Sequence, residues 1–277
     1  MIDGKTRLIA HIGYPIESFK SPMIYNPWFA ARGINAAVIP MGCRSDDYAS
    51  FLRLAFRLTN VDGALITMPH KVTTLDLVDE ASVSAQIAGA CNAVKLDERG
   101  KMIGDMFDGE GFVRGVLKKG RRLEASSALV AGCGGVGCAI AASLAKASVS
   151  RLALYDTFPP SMNALAARLR AHYPKVEVLT GAADPAGYDI VVNATPLGMK
   201  EDDPLPLDVE RIAPSAFVGE VVMKEEITPL LAAARAKGCD YQVGTDMLFE
   251  QIPAYLEFFG FGTTTSDELR KVAQIHY

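Results

Sequence analysis

Short apolar runs alternate with amphipathic segments in the first part of the chain. The runs at 6–13, 35–43 and 63–69 are typical of buried strands. Segments 22–32 and 45–58, which lie between them, have the apolar periodicity of helices. This alternation of strand and helix predicts a parallel α/β sheet.

The same alternation returns after a polar stretch that ends near residue 108. A helix is expected from Gly109 to Lys119, followed by a strand, a glycine-rich loop, a helix and another strand over 126–156. Apolar runs at 189–195 and 216–223 predict two further parallel strands. From Gly244 onward the pattern is apolar and helical, and we expect this segment to pack on the first unit.

Composition narrows the class of protein further. Of the 277 residues, 49% are hydrophobic and 22% are charged, a balance typical of globular proteins. The formal net charge is -4 and no run of Lys and Arg stands out, which argues against nucleic acid as a partner. The N-terminal apolar stretch is too short and too interrupted for a signal peptide or a membrane span. We therefore expect a cytoplasmic protein that has no membrane partner.

The cysteines and histidines give no sign of a metal site. The five cysteines are scattered without C-x-x-C spacing, and the four histidines also lie far apart in sequence. Neither a disulfide framework nor a bound metal is expected.

A glycine-rich loop follows the strand that begins the second half of the chain. Its glycines fit the pattern G-x-G-x-x-G at Gly132, Gly134 and Gly137, with Gly135 and Val136 between the last two. The first glycine permits a tight turn, the second lets the backbone approach a pyrophosphate, and the third lets the helix pack close to the strand. The helix that follows offers its N-terminal amides to phosphates. With a strand before it and an alanine-rich helix after it, the loop predicts a dinucleotide site.

Asp156 ends the next predicted strand, at the spacing where an acid accepts hydrogen bonds from the adenosine ribose. A carboxylate at this position repels a 2′-phosphate. We therefore expect NAD as the cofactor, in preference to NADP.

Two polar segments of the first half contain candidate catalytic residues. Lys71 follows a predicted strand end, and Asp108 stands just before the predicted connecting helix. Ligands of open α/β sheets lie outside the carboxyl ends of the strands, so both side chains are candidates for one acid–base pair. Such a pair exchanges a proton with a ketone or alcohol without a metal. The alternative is a surface lysine and an aspartate that caps a helix, and these residues alone leave both interpretations open.

Taken together, these segments resemble the shikimate dehydrogenase family over nearly the whole chain. The similar blocks are GYPIESFKSP, ITMPHK, GACNAV, GDMFDGEGF, GCGGVG, NATPLGM and GTDMLFEQ, in this order. The resemblance implies two α/β domains: a substrate-binding and catalytic domain at 1–108 and 244–277, and a Rossmann dinucleotide-binding domain at 109–243. It also implies the reversible reduction of 3-dehydroshikimate to shikimate, or related chemistry on quinate.

The resemblance assigns roles to individual residues. Lys71 and Asp108 would act on the reacting oxygen. The substrate's hydroxyls and carboxylate would be bound by Ser21, Thr67, Asn92 and Gln251. The residues near the dinucleotide would be Thr195, Leu197, Met199 and Gly244.

Several positions depart from the family pattern, and all belong to or border the implied substrate site. The family usually has serine at Phe19, asparagine at Leu65, threonine at Ala93, Asn-Thr at Met106-Phe107 and tyrosine at Met223. Each exchange removes a hydrogen-bonding group, and a substrate hydroxyl left unpaired costs roughly 1–3 kcal/mol. We infer a divergent enzyme whose substrate is smaller, less hydroxylated or more hydrophobic than shikimate. The alternative is that other side chains make the missing bonds and shikimate remains the substrate.

A hypothesis from another class is a dinucleotide-binding protein that senses or regulates and has lost turnover. The presence of both Lys71 and Asp108 argues against it. The expected partner is a small-molecule substrate, and the sequence leaves open whether the protein is a monomer or a homodimer.

Overall fold

The computed structural model describes residues 2–17, 19–181 and 183–275. The chain divides into two compact units. Residues up to Phe107 together with those from Ile252 onward form the first unit, and Asp108–Gln251 form the second. The division falls inside the helix that begins at Gly244, rather than at its first residue.

The first unit is built on one sheet with helices on its faces. Its strands are β1 (Arg7–Gly13), β2 (Ala36–Gly42), β3 (Val61–Ile66), β4 (Glu80–Ala81), β5 (Ala93–Leu96) and β6 (Met102–Asp105). Its first four helices are α1 (Pro22–Ala31), α2 (Ser45–Ala55), α3 (Lys71–Leu77) and α4 (Val83–Ala88). The strand order among the described residues is β2-β1-β3-β5-β6-β4.

The three strands predicted from the apolar runs pair in parallel, as expected, but the sheet of the first unit as a whole is mixed. β1 pairs in parallel with β2 and β3, but β5 runs antiparallel to both β3 and β6. A tight turn, in which Asp97 N donates to Lys101 O over 2.9 Å, joins β5 to β6 and accounts for their antiparallel pairing. A turn this short joins only antiparallel strands.

Side chains of β1 alternate between two buried faces. Ala10 and Ile12 pack with Tyr48 and Leu52 in the core beneath α2. Because successive strand residues point to opposite faces, His11 and Gly13 face the other side of the sheet.

The second unit has a wholly parallel sheet. Its strands are β7 (Ser127–Ala131), β8 (Arg151–Tyr155), β9 (Glu177–Thr180), β10 (Ile190–Asn193), β11 (Phe217–Glu220) and β12 (Asp240–Gln242), in the order β12-β11-β10-β7-β8-β9. This is the doubly wound Rossmann order, which reverses direction between β7 and β10. The helices of this unit are α5 (Asp108–Lys118), α6 (Gly135–Lys146), α7 (Pro159–His172) and α8 (Pro229–Ala236), with a short 3₁₀ helix at Val209–Arg211. Helix α9 (Gly244–Phe258) begins in this unit, and its residues from Ile252 onward belong to the first. A last helix, α10 (Ser266–Val272), belongs to the first unit.

The backbones of helices α5 and α6 are in direct contact. At Gly109, near the start of α5, a side chain would overlap the backbone of Ala139 in α6 and lie 2.5 Å from Ser143 Oγ. Glycine permits this contact because it has no Cβ.

Among the described residues, no helix is long and apolar enough to cross a bilayer.

Candidate active site

Three of the predicted site residues of the first unit converge at the end of β3. Thr67 N donates to Ile12 O over 2.9 Å, which extends the sheet past the last residue of the strand. Ile66 N donates to Asn92 O and Cys91 N to Lys71 O, both over 2.8 Å. These backbone bonds hold together what we call the strand-end cluster: Thr67, Lys71 and Asn92.

One polar group of the strand-end cluster, the Asn92 amide nitrogen, has no hydrogen-bond partner among the described residues. Asn92 is 1% exposed, and its Oδ1 accepts a bond of 2.9 Å from Phe107 N. Ser21 lies at the start of α1, and its hydroxyl does not cap that helix. A buried amide without a partner costs free energy, which a bound polar ligand recovers.

Phe19 stands beside the strand-end cluster and stacks on His11. The two ring centroids are 4.0 Å apart and the rings are inclined by 24°. A Cβ built on Gly13 would lie 2.8 Å from Phe19 Cζ and close to the Thr67 methyl group. His11 was not among the predicted site residues, although it is the polar residue at the centre of an apolar strand.

The other departures in the first unit are buried. Leu65, Ala93, Met106 and Phe107 are 4%, 0%, 3% and 7% exposed. Phe107 also packs edge-on against Tyr255, with the centroids 4.8 Å apart. The surroundings of the strand-end cluster are therefore largely apolar.

His70, next to Lys71 in sequence, is engaged elsewhere. Its Nε2 lies 2.8 Å from Cys43 O, and its ring stacks on Tyr48 with centroids 3.9 Å apart. Burial lowers the pKa of His70 below its usual value of 6.5. A neutral imidazole held in this way fixes the turn that carries Lys71.

In the second unit, the glycine loop has the geometry of a phosphate cradle. Gly132 has φ +98°, and a Cβ there would lie 2.6 Å from the carbonyl of Ala194. A Cβ on Gly134 would meet no heavy atom within 4 Å, so the space before the loop is open. Helix α6 begins at Gly135, and its first amides, from Gly135 to Gly137, have no intrahelical acceptor. These features fit a dinucleotide whose pyrophosphate lies against the loop.

The loop after β10 is shaped by Asn193 and Thr195. Asn193 Oδ1 accepts bonds from Thr195 N (3.0 Å) and Thr195 Oγ1 (2.7 Å), and Asn193 Nδ2 donates to Leu197 O over 3.0 Å. Met199, further along this loop, is 47% exposed. The predicted dinucleotide residues Thr195, Leu197 and Met199 are thus displayed on one structured loop of the second unit.

A buried carboxylate, Glu220, joins this loop to the one after β11. Glu220 is 0% exposed and accepts bonds from Asn193 Nδ2, Thr228 Oγ1 and the amides of Val221 and Val222. Burial raises the pKa of Glu220, and these bonds oppose that effect. This network was not predicted; its one signal in the sequence is a charged residue inside the apolar run at 216–223.

The remaining predicted residues of the second unit lie on α5 and α9. Asp108 is 4% exposed at the first turn of α5, where the helix dipole favours a negative charge. A side chain on Gly244 would come within 2.9 Å of Met223 Cγ, and Gln251 is 7% exposed. Lys71 and Asp108 belong to different units, and their action as a pair stays a prediction.

Comparisons with known proteins give a consistent result. Residues 11–94 match the family described as "Shikimate dehydrogenase substrate binding domain". The shikimate dehydrogenase (NADP(+)) of Rubrobacter xylanophilus is 37% identical over 254 residues, covering 90% of this chain and 89% of the relative. That of Acidiphilium cryptum is 35% identical, covering 97% and 96%. Among solved structures, quinate dehydrogenase from Corynebacterium glutamicum in complex with NAD is 30% identical with a TM-score of 0.87, covering 96% and 98%.

The expectation that NAD is preferred to NADP is contradicted by the curated relatives, which are NADP(+) enzymes. That expectation rested on a free carboxylate at Asp156. In the structure, Asp156 Oδ2 accepts a bond of 2.6 Å from Cys133 N, and its Oδ1 accepts one of 2.7 Å from Phe158 N. Because the carboxylate is engaged in holding the glycine loop, its place in the sequence does not decide between the two dinucleotides.

The two units are both α/β, in agreement with the fold class that the resemblance implies, and the curated relatives extend over nearly the full chain. Their names describe oxidoreductases that act on a CH–OH group. This chain therefore belongs to the shikimate dehydrogenase family and is an oxidoreductase of that type.

Proposed function

We propose that this protein catalyses the reversible, NADP(H)-dependent reduction of 3-dehydroshikimate to shikimate, or of a closely related ring ketone to its alcohol. The observation that supports this most is the strand-end cluster, which holds Thr67, Lys71 and the unpartnered Asn92 amide together. It occurs in a chain that is 37% identical over 90% of its length to a shikimate dehydrogenase.

In this proposal, Lys71 exchanges the proton with the substrate oxygen and Asp108 assists it. When bound, the dinucleotide would supply a hydride to the carbonyl carbon in reduction, or accept one from the carbinol carbon in oxidation. During reduction, the Lys71 ammonium donates its proton to the oxygen that becomes the hydroxyl, and during oxidation the neutral lysine takes that proton back. The Asp108 carboxylate orients the lysine and favours its charged form. Ser21, Thr67, Asn92 and Gln251 bind the other polar groups of the substrate.

The second unit holds the dinucleotide in this proposal. Gly132, Gly134, Gly135, Val136 and Gly137 cradle the pyrophosphate, with Asp156 fixing the loop. Thr195, Leu197, Met199 and Gly244 border the rest of the dinucleotide. NADP(H) is proposed because the curated relatives are NADP(+) enzymes.

A second candidate substrate is a less hydroxylated alcohol than shikimate. It is favoured by the buried apolar residues Leu65, Ala93, Met106 and Phe107 and by the stacked ring of Phe19. A site that lacks hydrogen-bonding partners penalises each unmatched substrate hydroxyl. Met223, which is half-buried beside Gly244, adds a further apolar side chain in the second unit.

Steady-state kinetics test the proposal. Shikimate, quinate and hydroxy-cyclohexene carboxylates with fewer hydroxyls are assayed with NADP⁺ and NAD⁺, and 3-dehydroshikimate with the reduced forms. Lys71→Ala is expected to lower kcat by about 10²–10⁴-fold while NADP⁺ binding, measured by calorimetry, stays unchanged. Lys101→Ala is the matched control, because Lys101 is an exposed lysine on the β5–β6 turn that pairs with Glu80 of β4. A wild-type protein that binds NADP⁺ yet oxidises none of these alcohols would support a binding protein without turnover.

A further inference from the structure

One row of buried residues crosses the sheet of the first unit beside the strand-end cluster. His11 of β1 is in register with Leu65 of β3, which is opposite Ala93 of β5. Residues in register on neighbouring strands point to the same face. The row therefore presents an imidazole, an isobutyl group and a methyl group side by side, and the imidazole is its polar member.

His11 is buried with an unsatisfied nitrogen. The residue is 7% exposed, and its Nδ1 has no hydrogen-bond partner among the described residues. Burial, together with the positive charge of Lys71, lowers the pKa of His11 to about 3. The imidazole is therefore neutral at physiological pH, with one nitrogen that donates and one that accepts. Packing alone gives no reason for this residue, because a leucine would fill the space without an unpaired polar atom.

The position of His11 is fixed relative to the residues of the strand-end cluster. Phe19 stacks on one face of the imidazole with a centroid distance of 4.0 Å. Gly13, two residues along β1 on the same face, is so close to Phe19 and Thr67 that a Cβ there would not fit. Thr67 belongs to the strand-end cluster with Lys71, so this face of β1 borders that cluster.

We propose that His11 is a specificity-determining residue that hydrogen-bonds a hydroxyl or carbonyl oxygen of the substrate, with Phe19 holding its ring in place. The inference rests on the proposed function and deepens it by naming the residue that recognises the substrate where Leu65 and Ala93 offer no polar group. A neutral imidazole offers one donor and one acceptor, which suits a hydroxyl or a carbonyl oxygen.

The test compares His11→Leu with wild-type protein on paired alcohols. Each pair consists of a ring alcohol that the wild type oxidises and its analogue lacking one further hydroxyl. His11→Leu is expected to lower kcat/KM about 10–100-fold for the alcohol carrying the recognised hydroxyl and to leave the matching deoxy analogue within about twofold. The Kd for NADP⁺ is expected to stay unchanged, because the dinucleotide loop lies in the second unit. His11→Asn, which keeps a donor and an acceptor, is expected to recover part of the loss.

Ile9→Val, on the same strand and face, controls for disturbed packing of β1. A purely structural role for His11 would lower kcat/KM equally for both members of every pair, in parallel with the loss of thermal stability, and that result would overturn the inference while the proposed function stands. Unchanged discrimination in His11→Leu would overturn it as well. If the wild type oxidises none of the alcohols, the proposed function fails, and the inference fails with it.

Discussion

Removing the carboxylate of Glu220 is the sharpest test of how the second unit is held together. Glu220→Ala leaves the Asn193 amide, the Thr228 hydroxyl and the amides of Val221 and Val222 without their acceptor in a fully buried place. Each buried donor left unsatisfied costs about 1–3 kcal/mol, and water entering the vacated space recovers part of this. We expect a net loss of about 3–5 kcal/mol in the free energy of unfolding.

Glu220→Gln separates the shape of the side chain from its charge. The amide oxygen still accepts from Val221 and Val222, but the new NH₂ group faces the Asn193 donor, so we expect a loss of about 1–2 kcal/mol. Burial raises the pKa of Glu220 above its ordinary 4.5, so the native state binds a proton at higher pH than the unfolded state. The wild-type free energy of unfolding therefore gains a contribution as the pH falls through the raised pKa towards 4.5, and Glu220→Gln lacks this contribution.

The measurement must report on the second unit, because the single tryptophan, Trp28, lies in the first. Hydrogen exchange followed by mass spectrometry on peptides covering 190–200 and 217–231 provides this, with urea unfolding followed by circular dichroism. Glu225→Gln makes the same chemical change at an exposed position in the neighbouring loop and serves as the control. The reasoning is refuted if Glu220→Ala costs less than about 1 kcal/mol or leaves exchange in both peptides unchanged.

Three further outcomes are expected. Gly134→Val should leave the free energy of unfolding within about 0.5 kcal/mol, because the residue has φ -75° and open space around its Cβ, yet it should weaken NADP⁺ binding by at least about tenfold in calorimetry. Because the pKa of His11 is lowered from 6.5 to about 3, the unfolded state takes up the proton first, and stability falls as the pH drops below 6.5. In urea unfolding followed by Trp28 fluorescence, the wild-type free energy of unfolding should fall by about 2 kcal/mol towards pH 5 because of this group, and His11→Leu should lack that decrease. An equal pH dependence of the free energy of unfolding in the two proteins would contradict this. Burial raises the pKa of Cys133 to about 12 and that of Cys138 to about 11, so intact-mass analysis should find neither thiol alkylated by iodoacetamide in the native chain near pH 8.

The parallel strands and the glycine loop were predictable because their signals are local. Buried parallel strands are continuous apolar runs, and the spacing of Gly132, Gly134 and Gly137 follows one of them directly. β5 and β6 gave a weaker signal, since each has only four residues and the turn between them is polar. For this reason the antiparallel part of the first sheet was not predicted.

What the sequence did not reveal are partnerships between distant residues. Nothing in the chain links Glu220 to Asn193 and Thr228, which meet only because neighbouring parallel strands end at the same edge of the sheet. The carboxylate of Asp156 was identified, but its backbone partners at Cys133 and Phe158 depend on the folded loop. His11 was visible as a polar residue in an apolar strand, whereas its stacking on Phe19 depends on the path of the intervening loop.

The contact at Gly109 fixes the distance between the start of α5, which carries Asp108, and α6, which follows the dinucleotide loop. Asp108 immediately precedes this glycine, and Ala139 lies one turn into the helix that starts at Gly135. Main chain lies against main chain at this contact, so no intervening side chain sets the spacing between the backbone of Asp108 and helix α6. Substrate preference can therefore diverge through residues of the other unit, while the backbone spacing between α5 and α6 stays the same.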